Sequence, residues 1–305
     1  MPHDHHHGHH HAHIDTASGD RRVWAAILVN IGLTFVQIVA GVLSGSLALV
    51  ADAIHNLSDA LSLVVAFFAR RIARRPADAA MTFGYGRAEV VAALINYVTL
   101  IVVAIYLAAE GVQRLFDPVA VEGWTVVVVA GVALVIDTIT ALLVFRMSKD
   151  SVNIRAAFLH NVADALGSVA VIVAGTLILL YDWRLVDPIV TLGISAYILW
   201  HAGSEIGPVI RILMMGSPDD PPAEDVLAAL RGTAGVADVH HLHLWRMQEH
   251  ETALEAHVVL ARPDEAMPVR ARLKALLEDR FHIHHSVLEL EEPAAACRDA
   301  QAIGH

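Results

Sequence analysis

The sequence predicts an α-helical membrane protein with six transmembrane helices, followed by a small soluble α+β domain. Three observations carry that expectation. The 305 residues are 56% hydrophobic and only 17% charged, and their mean hydropathy is +0.54. The apolar residues gather in long runs such as 88–109 and 122–145, each long enough to cross a hydrocarbon core as a helix. After about residue 207 Asp, Glu, Arg and His return at the density of an ordinary soluble domain.

The elements follow in order. Residues 1–22 form a tail in which His3, His5, His6, His7, His9, His10, His11 and His13 precede any apolar run, whereas a secretory signal starts basic and turns apolar at once. Asp4, Gly8 and Ala12 interrupt the tract, which therefore reads as a native metal-attracting tail and not as an expression tag. Residues 23–206 hold the spans, at roughly 23–43, 47–69, 88–109, 122–145, 156–180 and 186–206. Gly41 and Gly45 separate the first two, Pro76 follows the second, Asp117-Pro118 follows the third, and Asp187-Pro188 opens the sixth.

Lysine and arginine placement orients the bundle. Arg21 and Arg22 precede the first span, Arg70, Arg71, Arg74, Arg75 and Arg87 join the second to the third, and Arg146, Lys149 and Arg155 join the fourth to the fifth. The opposite loops hold only Arg114 and Arg184, each beside an acid. Both termini are therefore expected in the cytoplasm, together with residues 207–293 and the final tail, 294–305.

Residues 207–293 read as a helix from Pro221 to Arg231, strands at 236–247 and 252–261, an amphipathic helix at 266–281 and a strand at 284–291. An α-β-β-α-β sandwich is the natural product. Cys297 is the one cysteine in the chain, so no internal disulfide framework is expected.

Ionisable side chains inside a span are expensive, and each is a functional candidate. The second span reads Asp52-Ala53-Ile54-His55-Asn56-Leu57-Ser58-Asp59, and the fifth reads His160-Asn161-Val162-Ala163-Asp164. Both contain His-x-x-x-Asp, a spacing that puts the two side chains one turn apart on one helix face. Two such helices packed together offer two imidazoles and two carboxylates, a set that zinc accepts in tetrahedral geometry. Asp52, three residues before His55, reads either as a group on an access or proton path or as an acid near the helix end. Asn30, Gln37, Glu110 and Asp137 read as helix–helix hydrogen-bonding groups.

These residues resemble the cation diffusion facilitator family, in its zinc-transporting branch. The resemblance covers nearly the whole chain. It rests on the His-rich N-terminus, the paired His-x-x-x-Asp motifs, Phe83-Gly84-Tyr85-Gly86-Arg87-Ala88-Glu89 at the third span and His240-His241-Leu242-His243-Leu244-Trp245. It implies a homodimer whose protomers alternate between inward-open and outward-open states, with His55, Asp59, His160 and Asp164 as the transport site. It also implies a ferredoxin-like, metallochaperone-like cytoplasmic domain that binds Zn2+ as a sensor. There, His240, His257, His285 and Glu292 fall where relatives carry ligands between protomers, with His241, His243, His282 and His284 as alternatives. Asp78 matches the acid of a loop site found in some relatives, but Tyr85 stands where its histidine would be.

The expected function is a proton-coupled antiporter that exports a divalent transition metal, Zn2+ first, from the cytoplasm. Co2+, Ni2+ or Cd2+ efflux on the same architecture is one alternative, and a non-transporting membrane metal sensor is another. No enzyme and no organic cofactor are expected, because the chain has no His-Glu-x-x-His sequence and the two ligand pairs leave no open coordination position. The expected partners are the metal cation, protons, the lipid bilayer and a second copy. A formal net charge of −11 argues against nucleic acid. Compact loops point to a bacterial inner (plasma) membrane.

Overall fold

A computed structural model describes residues 31–145, 152–248, 251–297 and 300–304. The His-rich tail, Asn30, Arg146 and Lys149 lie outside the described residues. Six long helices come first: α1 (Ile31–Ser44 within the described residues), α2 (Leu47–Ala73), α3 (Ala88–Phe116), α4 (Gly123–Phe145), α5 (Val152–Tyr181) and α6 (Val186–Leu213). Within the described residues three of them hold apolar stretches long enough to cross a membrane, at Ala88–Phe116, Gly123–Leu142 and Val162–Tyr181. α3 also turns Val91, Ile95, Val98, Val102 and Ile105 outward as one exposed apolar stripe, which hydrocarbon accepts and water penalises.

Several helices outrun the expected spans. α2, α3 and α5 have 27, 29 and 30 residues, or about 40–45 Å, against roughly 30 Å of hydrocarbon. Charge marks the edge of the apolar run but does not stop the helix. Arg70 and Arg71 sit in the last turn of α2, where cations favour the exposed carbonyl end.

The described residues divide into two compact units, one holding residues up to Leu61 with Val102–Leu199, the other Ser62–Ile101 with Trp200 onward. In the first, Gly45 turns α1 into α2 with φ of 75°, and a Cβ there would stand 2.7 Å from the Ala120 carbonyl oxygen. Only glycine meets both demands. The start of α2 is then capped from α6. The Asp187 carboxylate, on a residue 1% exposed, accepts the Leu47 amide at 2.8 Å, the Ala48 amide at 3.3 Å and the Ser46 hydroxyl. It satisfies amides that the first turn of a helix leaves without partners.

The second unit contains α7 (Ala223–Arg231), β1 (Val236–Gln248), β2 (Glu251–Leu260), a short 3-10 turn (Pro263–Glu265), α8 (Ala266–Phe281) and β3 (His285–Glu291). That is the α-β-β-α-β order read from the sequence. The sheet order is β1-β2-β3, with β1 antiparallel and β3 parallel to β2. A parallel neighbour needs a crossover, and α8 provides it. α8 buries Val269, Leu273 and Leu277 at one-turn spacing, and α7 buries Val226, Leu227 and Leu230. Both pack over Val239, Leu254 and Val258 of the strands in one apolar core.

In the segment between α2 and α3, Asp78 accepts hydrogen bonds from the Tyr85 hydroxyl at 2.7 Å and from the Ala80 and Met81 amides at 2.8 and 2.9 Å. These partners, Tyr85 first, hold its carboxyl below the usual aspartate value. The Tyr85 bond makes Asp78 a closure for its own loop.

Candidate metal centres

α2 carries Asp52, His55 and Asp59 at i, i+3 and i+7, and α5 carries His160, Asp164 and Ser168 at i, i+4 and i+8. The side chains of Asp59 and His160 lie outside the described residues. The other member of each pair meets across the helices. His55 Nε2 is 3.3 Å from Asp164 Oδ1, and both side chains are at most 10% exposed. Tyr197 of α6 stands edge-on to the His55 ring at 5.9 Å.

Beside this pair lies a second polar group. Gln37 of α1 donates Nε2 to Asp52 Oδ2 at 3.0 Å, and Ser168 Oγ lies 3.5 Å from that oxygen and 3.3 Å from Asp137 Oδ2 of α4. A Cβ on Gly167 would stand 3.1 Å from Asp52 Oδ1, so the glycine leaves room for the carboxylate against α5. Gln37 and Asp137 thus bond between helices, as the sequence suggests. Glu110 instead pairs within α3, with Arg114 at 2.9 Å, and that guanidinium goes on to donate to the Gly45 carbonyl at 2.7 Å. Sequence reasoning missed Ser168, although its place four residues after Asp164, on the same helix face, was a usable signal.

In the small domain, His240 and His257 are direct partners in the β1–β2 register, with ring centroids 5.3 Å apart. Glu291 of β3 reaches both, at 2.7 Å from Oε1 to His257 Nδ1 and 3.3 Å from Oε2 to His240 Nε2. Its side chain is 9% exposed. Burial works to raise the Glu291 carboxyl, but the His257 hydrogen bond and the His240 charge outweigh it and hold the group below the usual glutamate value. Glu289 approaches the other ring nitrogen of His257, with Oε2 3.4 Å from Nε2.

Among the described residues two overlapping ligand groups result, one of His240, His241, His257 and Cys297, the other of His257, Glu289 and Glu291, each with its ligand atoms within 4.8 Å of one another. Imidazole, thiolate and carboxylate together suit a borderline-soft divalent ion. His285 and Glu292 lie outside both groups. His285 pairs with Ala253, four register positions from His257, and rests against Phe83; Glu292 follows the end of β3. Glu291 differs from Glu292 by one residue, and in a strand one residue turns the side chain to the opposite face.

The family model described as the cation efflux transmembrane domain matches residues 23–214, and the model described as the cation efflux protein cytoplasmic domain matches residues 218–293. The chain belongs to the cation efflux family. Among its relatives in that family, the metal cation efflux system protein CzcD of Cupriavidus metallidurans is 34% identical over 96% of this chain and 92% of its own length. The zinc transporter ZitB of Pectobacterium atrosepticum is 33% identical over 95% of this chain and 89% of its own. A protein of Bacillus subtilis named cadmium, cobalt and zinc/H(+)-K(+) antiporter is 34% identical over 75% and 74%. This cation efflux protein therefore joins a helical transmembrane domain to a small cytoplasmic α+β domain, and metal cation efflux is the activity of the family.

Proposed function

We propose that this protein exports a divalent transition metal, zinc before others, from the cytoplasm in exchange for protons. The transport site consists of His55, Asp59, His160 and Asp164. One observation carries the reading: His55 of one His-x-x-x-Asp pair and Asp164 of the other stand 3.3 Å apart, buried between α2 and α5. Asp59 and His160 follow one turn away on the same helices, so the two motifs together supply two imidazoles and two carboxylates. Two carboxylates neutralise a divalent ion, which lowers the cost of holding it at membrane depth.

Zinc enters from the cytoplasm and binds while the imidazoles are neutral. When the site opens to the far side, protonation of His55 or His160 competes with the metal, because one nitrogen cannot hold both. Protons carried back inward couple export to the proton gradient, and Asp52 lies on their path. A relative named as an H(+)-K(+) antiporter supports proton coupling, and one named as a zinc transporter supports zinc.

All six long helices span the bilayer in this reading, with both termini in the cytoplasm of a bacterium and the protein in its inner membrane. The cations on the opposite side are neutralised in support of that orientation, Arg114 by Glu110 and Arg184 by Asp182. The small domain takes a ferredoxin-like fold, binds metal around His240 and His257, and dimerises with a second copy.

The test is zinc uptake into proteoliposomes with an imposed pH gradient. Uptake that requires both the gradient and Asp164 supports the mechanism. Undiminished flux in Asp164→Ala sinks the site assignment.

A further inference from the structure

β1 departs from regular pairing between His240 and His243, and within that interval His241 has φ of 48°. A left-handed backbone is uncommon outside glycine, asparagine and aspartate, and where structure imposes it the site repays a functional explanation. Here the bulge cancels the alternation that would send neighbouring side chains to opposite faces. His240 and His241, consecutive in sequence, lie with ring centroids 5.0 Å apart, and each lies against His257, at 5.3 and 5.1 Å.

The bulge also serves the end of the chain. The His241 amide donates to the Gln301 carbonyl at 2.9 Å, the Leu242 amide donates to the Ala302 carbonyl at 3.1 Å, and the Gly304 amide returns a bond to the Leu242 carbonyl at 3.2 Å. Leu242 and Ile303 form a parallel bridge. On its way from β3 to this edge the chain brings Cys297 to the histidines, so that Sγ and the three imidazoles lie within 4.8 Å of one another. Around zinc, with bonds of about 2.0 Å to nitrogen and 2.3 Å to sulfur, three nitrogens and one sulfur in a tetrahedron stand roughly 3.3–3.5 Å apart. Closing by at most about 1.5 Å completes the site, and Glu291 Oε1, 2.7 Å from His257 Nδ1 and 3.7 Å from Cys297 Sγ, stands beside it.

We propose that Cys297 is a metal ligand, that its thiolate joins His240, His241 and His257 on one zinc-class ion, and that this ion fastens the C-terminal tail to the edge of β1. The proposal rests on the reading that the small domain binds metal, and goes beyond it in the ligand set and its consequence. All four ligands come from one chain, so the site forms without a partner's side chains. Binding releases the thiol proton to solvent.

Cys297 is the one cysteine of the protein, which makes the test clean. The full chain in detergent is titrated with cobalt and read for a near-ultraviolet thiolate-to-cobalt charge-transfer band. A transport site built from imidazole and carboxylate gives no such band. The band is expected in the wild type and absent in Cys297→Ser, an exposed position where serine leaves the fold intact. In a second measurement zinc slows alkylation of Cys297 by about tenfold or more, since a coordinated thiolate no longer attacks freely. It also slows carboxypeptidase trimming of the tail in the wild type but not in Cys297→Ser.

Cobalt bound without a thiolate band, together with alkylation indifferent to zinc, overturns the proposal. If His240→Ala still removes one bound ion in that case, metal binding by the small domain stands without the cysteine. If His240→Ala and Cys297→Ser both leave the number of bound ions unchanged, the two readings fall together.

Discussion

His55 Nε2 and Asp164 Oδ1 stand 3.3 Å apart, one a member of the motif on α2 and the other of the motif on α5. The contact links one member of each pair, and in the proposed transport site it makes both helices necessary. Losing either residue should therefore cost about as much as losing both, because groups that act together are not additive. Zinc flux in His55→Ala and in Asp164→Ala should each fall by more than the roughly 10–100-fold that loss of an outer-sphere metal partner costs. The double variant should be little worse. Initial rates in proteoliposomes check this, and additive losses would show that the two residues act at separate places.

Asp187 makes a different cross-helix link. It receives the Leu47 and Ala48 amides, and Ser46 Oγ in turn accepts the Leu49 amide at 3.1 Å. Replacing a side chain that caps a helix costs about 1–2 kcal/mol, and here the abandoned amides are buried with Leu47 and Ala48. Asp187→Ala should lower the melting temperature in detergent, with Asp187→Asn intermediate. Zinc affinity of the folded fraction should not change. A lower affinity at an unchanged melting temperature would move Asp187 from architecture to the transport site.

The sequence made much of this legible, for identifiable reasons. Val226, Leu230, Val269, Leu273 and Leu277 carry a helical period, and Ala253 to Leu260 a strand pattern, so the small-domain elements could be placed within about two residues. The His-x-x-x-Asp motifs were visible because charge is conspicuous against an apolar run. Tertiary facts were hidden. No local signal says that Asp187 caps α2, since its partners lie in another helix. The bulge at His241 and the parallel register of β3 select Glu291 and bring Cys297 to the histidines, and both depend on packing that no window of sequence contains.

The Asp78 loop gives a pH prediction. Its carboxyl lies below the usual value, chiefly through the Tyr85 hydroxyl. A depressed acid contributes order that is fully present above the unfolded value and is lost as pH falls through the folded one. Backbone protection of Ala80 and Met81 should therefore hold at neutral pH and decline only below about 4. Tyr85→Phe should move that decline upward, and Asp78→Ala should abolish protection at every pH. Hydrogen exchange of the 77–86 segment reads the effect. Protection that survives Asp78→Ala would assign the loop's order to other contacts.

Asp52 tests the coupling itself. Gln37 holds its Oδ2 at 3.0 Å, and Ser168 stands between it and Asp137. Asp52→Asn keeps an acceptor for Gln37 and removes the charge and the acidic proton. If Asp52 carries protons, the variant should still exchange zinc for zinc across the membrane at wild-type rate, since exchange needs the metal site alone. It should fail to accumulate zinc against its gradient when only a pH difference drives it. The two assays on one preparation separate the cases. Exchange and accumulation lost together would place Asp52 among the groups that hold the metal, and both retained would leave it a structural acid of the bundle.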